Sequence, residues 1–236
     1  MYKALKQDFK NLTKADQTWI TIWSLIYVTF LTIDAVYQDF WGSSVLKYIG
    51  IFLCIVYAYQ KSSSDTPLIL ALFFTFLADT ILVWTKWEVF GVFCFCFAQF
   101  MHLIRHGLAQ PKYIGIFTLL ITLFFIYATT QNIPAIYAIT VVYALMLVTN
   151  LVLSINRFLK NKSDVHARYG MYGFIAFIAC DICVGLRHLI LDGALPTTAL
   201  PLIAYLVWVF YYPSQIFIAN SSNKSQTDTK LQKAKD

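Results

Sequence analysis

The sequence predicts an all-α polytopic membrane protein, a bundle of about eight transmembrane helices with both termini cytoplasmic. Composition is the first reason: 59% of residues are hydrophobic and only 13% are charged. The second is arrangement, because the apolar residues are gathered into blocks about 20 long, and at 1.5 Å per residue such a block covers about 30 Å of hydrocarbon. The third is the basic residues. With the N-terminus inside, all of the 18 Lys and Arg except Lys47, Lys86 and Arg187 fall in cytoplasmic segments, as the positive-inside rule requires. A soluble fold is excluded, and no polar linker divides the apolar blocks into two folded units.

Residues 1–18, "MYKALKQDFKNLTKADQT", form a polar leader. Its Leu5, Phe9 and Leu12 fit either a short amphipathic helix lying on the membrane or a solvated segment, and no cleavable signal peptide precedes the first span. The transmembrane domain covers 19–220, with spans at 19–38, 43–60, 66–85, 88–108, 112–130, 133–154, 168–190 and 195–219. The second span is short and contains Lys47. Residues 221–236 are a Lys-rich tail whose composition predicts disorder. Asn220 and Asn223 fit the glycosylation pattern but lie on the cytoplasmic side of this topology.

The net charge of +6 reports topology and contact with anionic lipid. Its basic residues are scattered over short loops, which excludes a nucleic-acid stripe. Cys180 and Cys183 have CxxC spacing, but inside an apolar helix they read as small packing residues, as do Cys54, Cys94 and Cys96.

The informative residues are polar ones at membrane depth, because a charge at mid-bilayer costs about 2.5–3.5 kcal/mol even on the lenient insertion scale. These are Asp79 in "FTFLADTILVW", Asp181 in "FIACDICVG", Gln99 and His102 in "FCFAQFMHLI", and Gln215 in "FYYPSQIFIAN". Asp34, Arg187 and His188 sit nearer span ends, where they are cheaper. Asp79 and Asp181 each lie about 13 residues past the cytoplasmic start of an outward-running span, hence about 20 Å above the inner boundary. Gly173, Phe177, Asp181 and Gly185 make one helical stripe, and Gly91, Phe95, Gln99 and His102 another. In the last span Tyr211 or Tyr212 shares a face with Gln215, and Pro213 frees a backbone carbonyl. Two carboxyls sharing one low-dielectric site titrate as a pair, one holding a proton while the other stays charged. That is an acid and base suited to cleaving an acetal, a vinyl ether or an epoxide.

These residues resemble those of the YhhN family of eight-span membrane proteins, to which the animal lysoplasmalogenases belong. The family's third span carries a small residue and Asp, here Ala78–Asp79. Its fourth carries G-x3-F-x3-H-x2-Y, here Gly91, Phe95, Gln99 and His102. The seventh has G-x3-F-x3-D, here Gly173, Phe177 and Asp181, and the eighth Y-Y-x-x-Q-x-x-x-A, here Tyr211, Tyr212, Gln215 and Ala219. The chain departs from the pattern in the fourth span, where Gln99 and His102 replace His and Tyr.

The resemblance implies hydrolysis of the vinyl ether bond of lysoplasmalogens to a fatty aldehyde and a glycerophospho-alcohol. It implies that Asp79 and Asp181 are the catalytic pair, and that Gln99, Gln215, Tyr212 and Tyr211 orient water or the glycerol. His102 or Arg105 meets the phosphate. No metal or cofactor is required, and the expected partners are the lysophospholipid and the bilayer of a prokaryotic cell membrane, or the endoplasmic reticulum in a eukaryote. A zinc hydrolase would want about three converging ligands, yet only His102 of the four histidines is deep. An intramembrane aspartyl protease would carry its acids after Tyr and at the end of G-x-G-D, whereas here they follow Ala78 and Cys180. The rival from another class is a transporter or lipid-binding protein whose acids carry protons or bind a cation.

Overall fold

The computed structural model describes residues 13–37, 41–108, 110, 118, 122, 125–194 and 196–222. Among the described residues there are helices and no strands. They form α1 (Lys14–Val36), α2 (Trp41–Lys61), α3 (Thr66–Trp84), α4 (Glu88–Leu103), the helical stretch α5 (125–130), α6 (Ala135–Lys160), α7 (Val165–Leu191) and α8 (Leu200–Asn220). Seven of these are long and apolar enough to cross a membrane, so the chain is a multi-pass integral membrane protein. Most of the expected span at 112–130 lies outside the described residues, as do the amphipathic segment at Leu5–Leu12 and the tail from 223 onward.

Capping chemistry sets helix ends that hydropathy misses. The expected first span begins at 19, but α1 starts at Lys14. Thr13 caps it, its hydroxyl accepting from the Asp16 amide at 3.1 Å and donating to Asp16 Oδ2 at 2.9 Å, so one orphan donor of the first turn is satisfied. Likewise α7 starts at Val165 instead of 168, because the Asp164 carboxylate accepts from the His166 and Ala167 amides and so satisfies two orphan donors of the first turn. Helix α4 widens at its end into a π-turn, Ile104–Leu108, which contains Gly107 at φ +87°, a left-handed conformation suited to glycine.

The helices group into two compact units. One holds α1, α2 as far as Tyr57, α7 and α8, and the other runs from Ala58 to Asn161 and includes α3, α4, α5 and α6.

In the first unit α7 packs along α8, and α1 also meets α8. The Tyr212 ring of α8 stacks on Tyr27 of α1 (centroids 5.5 Å apart, 5° between planes) and meets Phe30 edge-on. Polar ties reinforce both ends of α2. The Tyr57 hydroxyl lies 2.9 Å from Asp16 Oδ1 and 2.8 Å from Asn220 Oδ1. Lys47, one of the three cations outside the cytoplasmic segments, pairs with Asp34 at 2.7 Å and sits 4.5 Å from the Trp208 ring centroid; Asp34 also accepts from Ser43. A charge paired and covered in this way is tolerable inside a short span.

In the second unit α4 packs against α3 and against α6. Its core is Leu103, Val142 and Met146, with Cys96, Phe100, Phe125 and Leu153 around them. Helix α6 shows the division of faces: Ala138, Val142 and Met146 are buried while Leu145, Val148 and Val152 are exposed, an apolar outer stripe that suits lipid.

Glycine marks one tight contact in the first unit. A Cβ at Gly50 of α2 would overlap the Tyr212 ring, whose edge supplies all three nearest atoms. Because that ring is held by its stack on Tyr27, Gly50→Ala is expected to cost roughly 1–3 kcal/mol, read as a lower midpoint of thermal unfolding in detergent. Adding Tyr212→Ala is expected to remove most of the Gly50→Ala penalty, since the overlap then disappears.

Candidate functional site

The candidate residues divide between the two units. Asp181, Tyr211, Tyr212 and Gln215 belong to the first, and Asp79, Gln99, His102 and Arg105 to the second.

In the first unit the α7 stripe is real at its start. Gly173 lies against the α8 backbone, where an added Cβ would stand 3.0 Å from the Ile218 nitrogen and 3.2 Å from the Ser214 carbonyl. One turn on, the buried Phe177 ring meets Tyr211 edge-on, with centroids 5.7 Å apart. Asp181 follows, half-buried, flanked in the sequence by the buried Cys180 and Cys183. The stripe does not continue to Gly185, which is exposed and has nothing within 4 Å of its Cβ position, so the expectation of close packing there is corrected.

Tyr211 and Tyr212 diverge because neighbouring residues on a helix point about 100° apart. Tyr211 faces α7, whereas Tyr212 faces α1 and α2. The Tyr212 ring is fully buried, and its hydroxyl makes no hydrogen bond among the described residues. Gln215, also buried, donates from Nε2 to Ser214 Oγ at 3.2 Å, and Ser214 Oγ donates to the Tyr211 carbonyl at 2.6 Å. Pro213 has no N–H for the carbonyl four residues earlier. That carbonyl, on Val209, accepts from Tyr27 Oη at 2.9 Å. Pro213 therefore does release a carbonyl, and a side chain of α1 takes it.

In the second unit Asp79 is half-buried next to the buried Ala78. The α4 stripe serves two neighbours. Gly91 lies under Leu82 of α3, while Phe95 meets Tyr143 of α6 with centroids 5.6 Å apart. Gln99, wholly buried, receives two hydrogen bonds from Asn150 Nδ2, one at its backbone carbonyl and one at Oε1, both 2.9 Å. Gln99 Nε2 and Asn150 Oδ1 have no hydrogen-bond partner among the described residues. A buried polar atom left in that state costs roughly 1–3 kcal/mol.

His102 is buried one turn further along α4. Arg105, in the π-turn, is engaged by Asp65 at the start of α3: Nε lies 3.2 and 3.0 Å from the two carboxylate oxygens, and Nη2 lies 2.9 Å from Oδ2. Its neighbour His106 places Nε2 3.2 Å from Ser154 Oγ of α6. Among the described residues no three His, Cys, Asp or Glu side chains are grouped to hold a metal ion.

Asn150 is the residue that sequence reasoning missed. The signal was present in "LMLVTNLVLS", a lone amide inside an apolar run.

The fold is that of a multi-pass helical membrane protein, with Asp79 and Asp181 half-buried in α3 and α7, a placement costly enough in a bilayer to mark them as candidate functional residues. A family model narrows this. The YhhN family matches residues 42–222, most of the chain, and the protein belongs to that family. The match includes Asp79, Asp181 and every other candidate residue. No curated protein and no solved structure gives a significant match.

Proposed function

We propose that this protein hydrolyses the vinyl ether bond of lysoplasmalogens within the bilayer, with Asp79 and Asp181 as its acid and base. The observation that carries the reading is the YhhN match over 42–222, a stretch that keeps an aspartate in both the third and the seventh spans. Measured along their own helices, Asp79 is 13 residues from Thr66 and Asp181 16 from Val165. The first turn of α7 carries His166 and Arg168 and so belongs to the polar boundary. Counted from Arg168, the last charged residue of that turn, the distance along α7 to Asp181 matches that from Thr66 to Asp79, which supports the reading of two acids set equally far into their own spans.

The chemistry needs both forms of a carboxyl. A protonated acid delivers its proton to the vinyl carbon β to the ether oxygen, and positive charge develops on the carbon bearing that oxygen. An ionised carboxylate stabilises this oxocarbenium ion and takes a proton from the incoming water. The resulting hemiacetal breaks its bond to the glycerol oxygen, which leaves as a hydroxyl, and the alkenyl chain becomes the aldehyde. One water is consumed, and the two acids return to their starting states.

Gln99, Gln215, Tyr211 and Tyr212 hold the water or the glycerol in this scheme. The buried Tyr212 hydroxyl and Gln99 Nε2 support such roles, because both retain unused hydrogen-bonding capacity. His102 stands toward the phosphate, and Arg105 reaches it only by leaving Asp65. We place both termini on the cytoplasmic side and the protein in a prokaryotic cell membrane.

The experiment is to incubate the detergent-purified protein with lysoplasmenyl-ethanolamine or lysoplasmenyl-choline and assay for fatty aldehyde. The saturated 1-O-alkyl lipid serves as a control that cannot be protonated at carbon. Aldehyde from the vinyl ether alone is the expected result; none from folded wild type sinks the reading.

A further inference from the structure

The amide contact between α4 and α6 is open on one side. Asn150 directs Nδ2 at two acceptors of Gln99, the backbone carbonyl and Oε1. Commitment of Oε1 as an acceptor orients the whole carboxamide, so that Gln99 Nε2 can act only as a donor on its other side. Asn150 Oδ1 is by the same logic an acceptor of fixed direction. The reciprocal bond that would close a cyclic amide pair, Nε2 to Oδ1, is not made, and neither atom meets another partner among the described residues. Both side chains are 0% exposed.

One donor and one acceptor on bonded neighbours define the chemistry of what satisfies them. A phosphate or carboxylate would suit Gln99 Nε2 but be repelled by Asn150 Oδ1. An ammonium would have the opposite fault. A hydroxyl suits both, because it accepts one hydrogen bond and donates another.

We propose that Gln99 Nε2 and Asn150 Oδ1 together bind a hydroxyl group, Nε2 donating to its oxygen and Oδ1 accepting its proton. The occupant follows from the proposed hydrolysis, on which this part rests: it is either the attacking water or the free glycerol hydroxyl of the lysolipid. In the second case the pair also selects a lysolipid over a diradyl lipid, which lacks that hydroxyl. Asn150 is then a positioning residue for Gln99 as well as a ligand.

The test uses the full chain in detergent and two saturated 1-O-alkyl lysophosphatidylethanolamines, one with the 2-hydroxyl and one 2-deoxy, neither of which is hydrolysed. Binding is read by tryptophan fluorescence in wild type, Asn150→Asp and Gln99→Met, with Gln99→Glu replacing the latter should it fail to fold. If the glycerol hydroxyl occupies the pair, wild type binds the hydroxyl lipid about tenfold more tightly than the deoxy lipid, and the variants bind both alike. If water occupies it, wild type binds the two lipids alike, and the variants release aldehyde from lysoplasmenyl lipid about tenfold more slowly through kcat.

Equal binding with unchanged kcat in both variants overturns the proposal and leaves the amide contact as helix packing. A preference that survives in both variants overturns it as well. A wild type that releases no aldehyde refutes the proposed function by itself; the binding preference then decides this inference, and its absence overturns it.

Discussion

Asp181→Asn and Asp79→Asn are each expected to lower kcat for aldehyde release by about 10²–10⁴-fold, the range set by removal of a positioned acid or base. Asparagine keeps the shape and polarity of the carboxyl but can neither deliver a proton to carbon nor stabilise an adjacent cation with a full charge. The loss should therefore appear in kcat more than in KM. The double variant is expected to be scarcely worse than the poorer single one, because the two groups act as a unit and their effects do not add. Stopped assays of aldehyde against time, at matched amounts of folded protein, read both quantities. Full activity in either variant removes that acid from the mechanism.

Gly173→Leu is expected to be the most disruptive replacement among the described glycines of α7. Its Cβ would stand 3.0 Å from the Ile218 nitrogen and 3.2 Å from the Ser214 carbonyl, and these are backbone atoms that cannot rotate aside. Gly173→Ala should already cost roughly 1–3 kcal/mol by overpacking, and the longer Leu side chain more. The same helix supplies the control. Gly185 has nothing within 4 Å of its Cβ position, so Gly185→Ala should change stability by no more than about 0.5 kcal/mol. Thermal unfolding in detergent separates the two, and a neutral Gly173→Leu would mean that α7 and α8 do not approach as closely as the contact at Gly173 requires.

The helices were legible in the sequence because a bilayer imposes one dominant requirement, an apolar run of sufficient length. Their ends were less so, since hydropathy is blind to the Thr13 and Asp164 caps, which extend α1 and α7 by a turn. The acids stood out for the cost of a carboxylate in hydrocarbon. Asn150 did not, because a neutral amide is cheaper to insert and is easily taken as ordinary packing; its significance lies in a partner 51 residues away. Arg105 shows the same limit. Nothing local in "HLIRHG" indicates that its guanidinium is taken by Asp65, 40 positions earlier. Tyr211 and Tyr212 were recognisable as a pair, but which of them faces α7 depends on helix rotation, and only packing determines that.

The proposed chemistry turns on one event, protonation of a vinyl ether at carbon by a carboxylic acid in the membrane. Turnover of lysoplasmenyl lipid in D₂O, with the aldehyde reduced as it forms, tests it most directly by mass spectrometry of the resulting alcohol. Carbon protonation predicts one solvent-derived deuterium on the carbon next to the former carbonyl, at a rate well above that with Asp79→Asn or Asp181→Asn. Aldehyde without that deuterium, or no aldehyde from folded wild type, would contradict it.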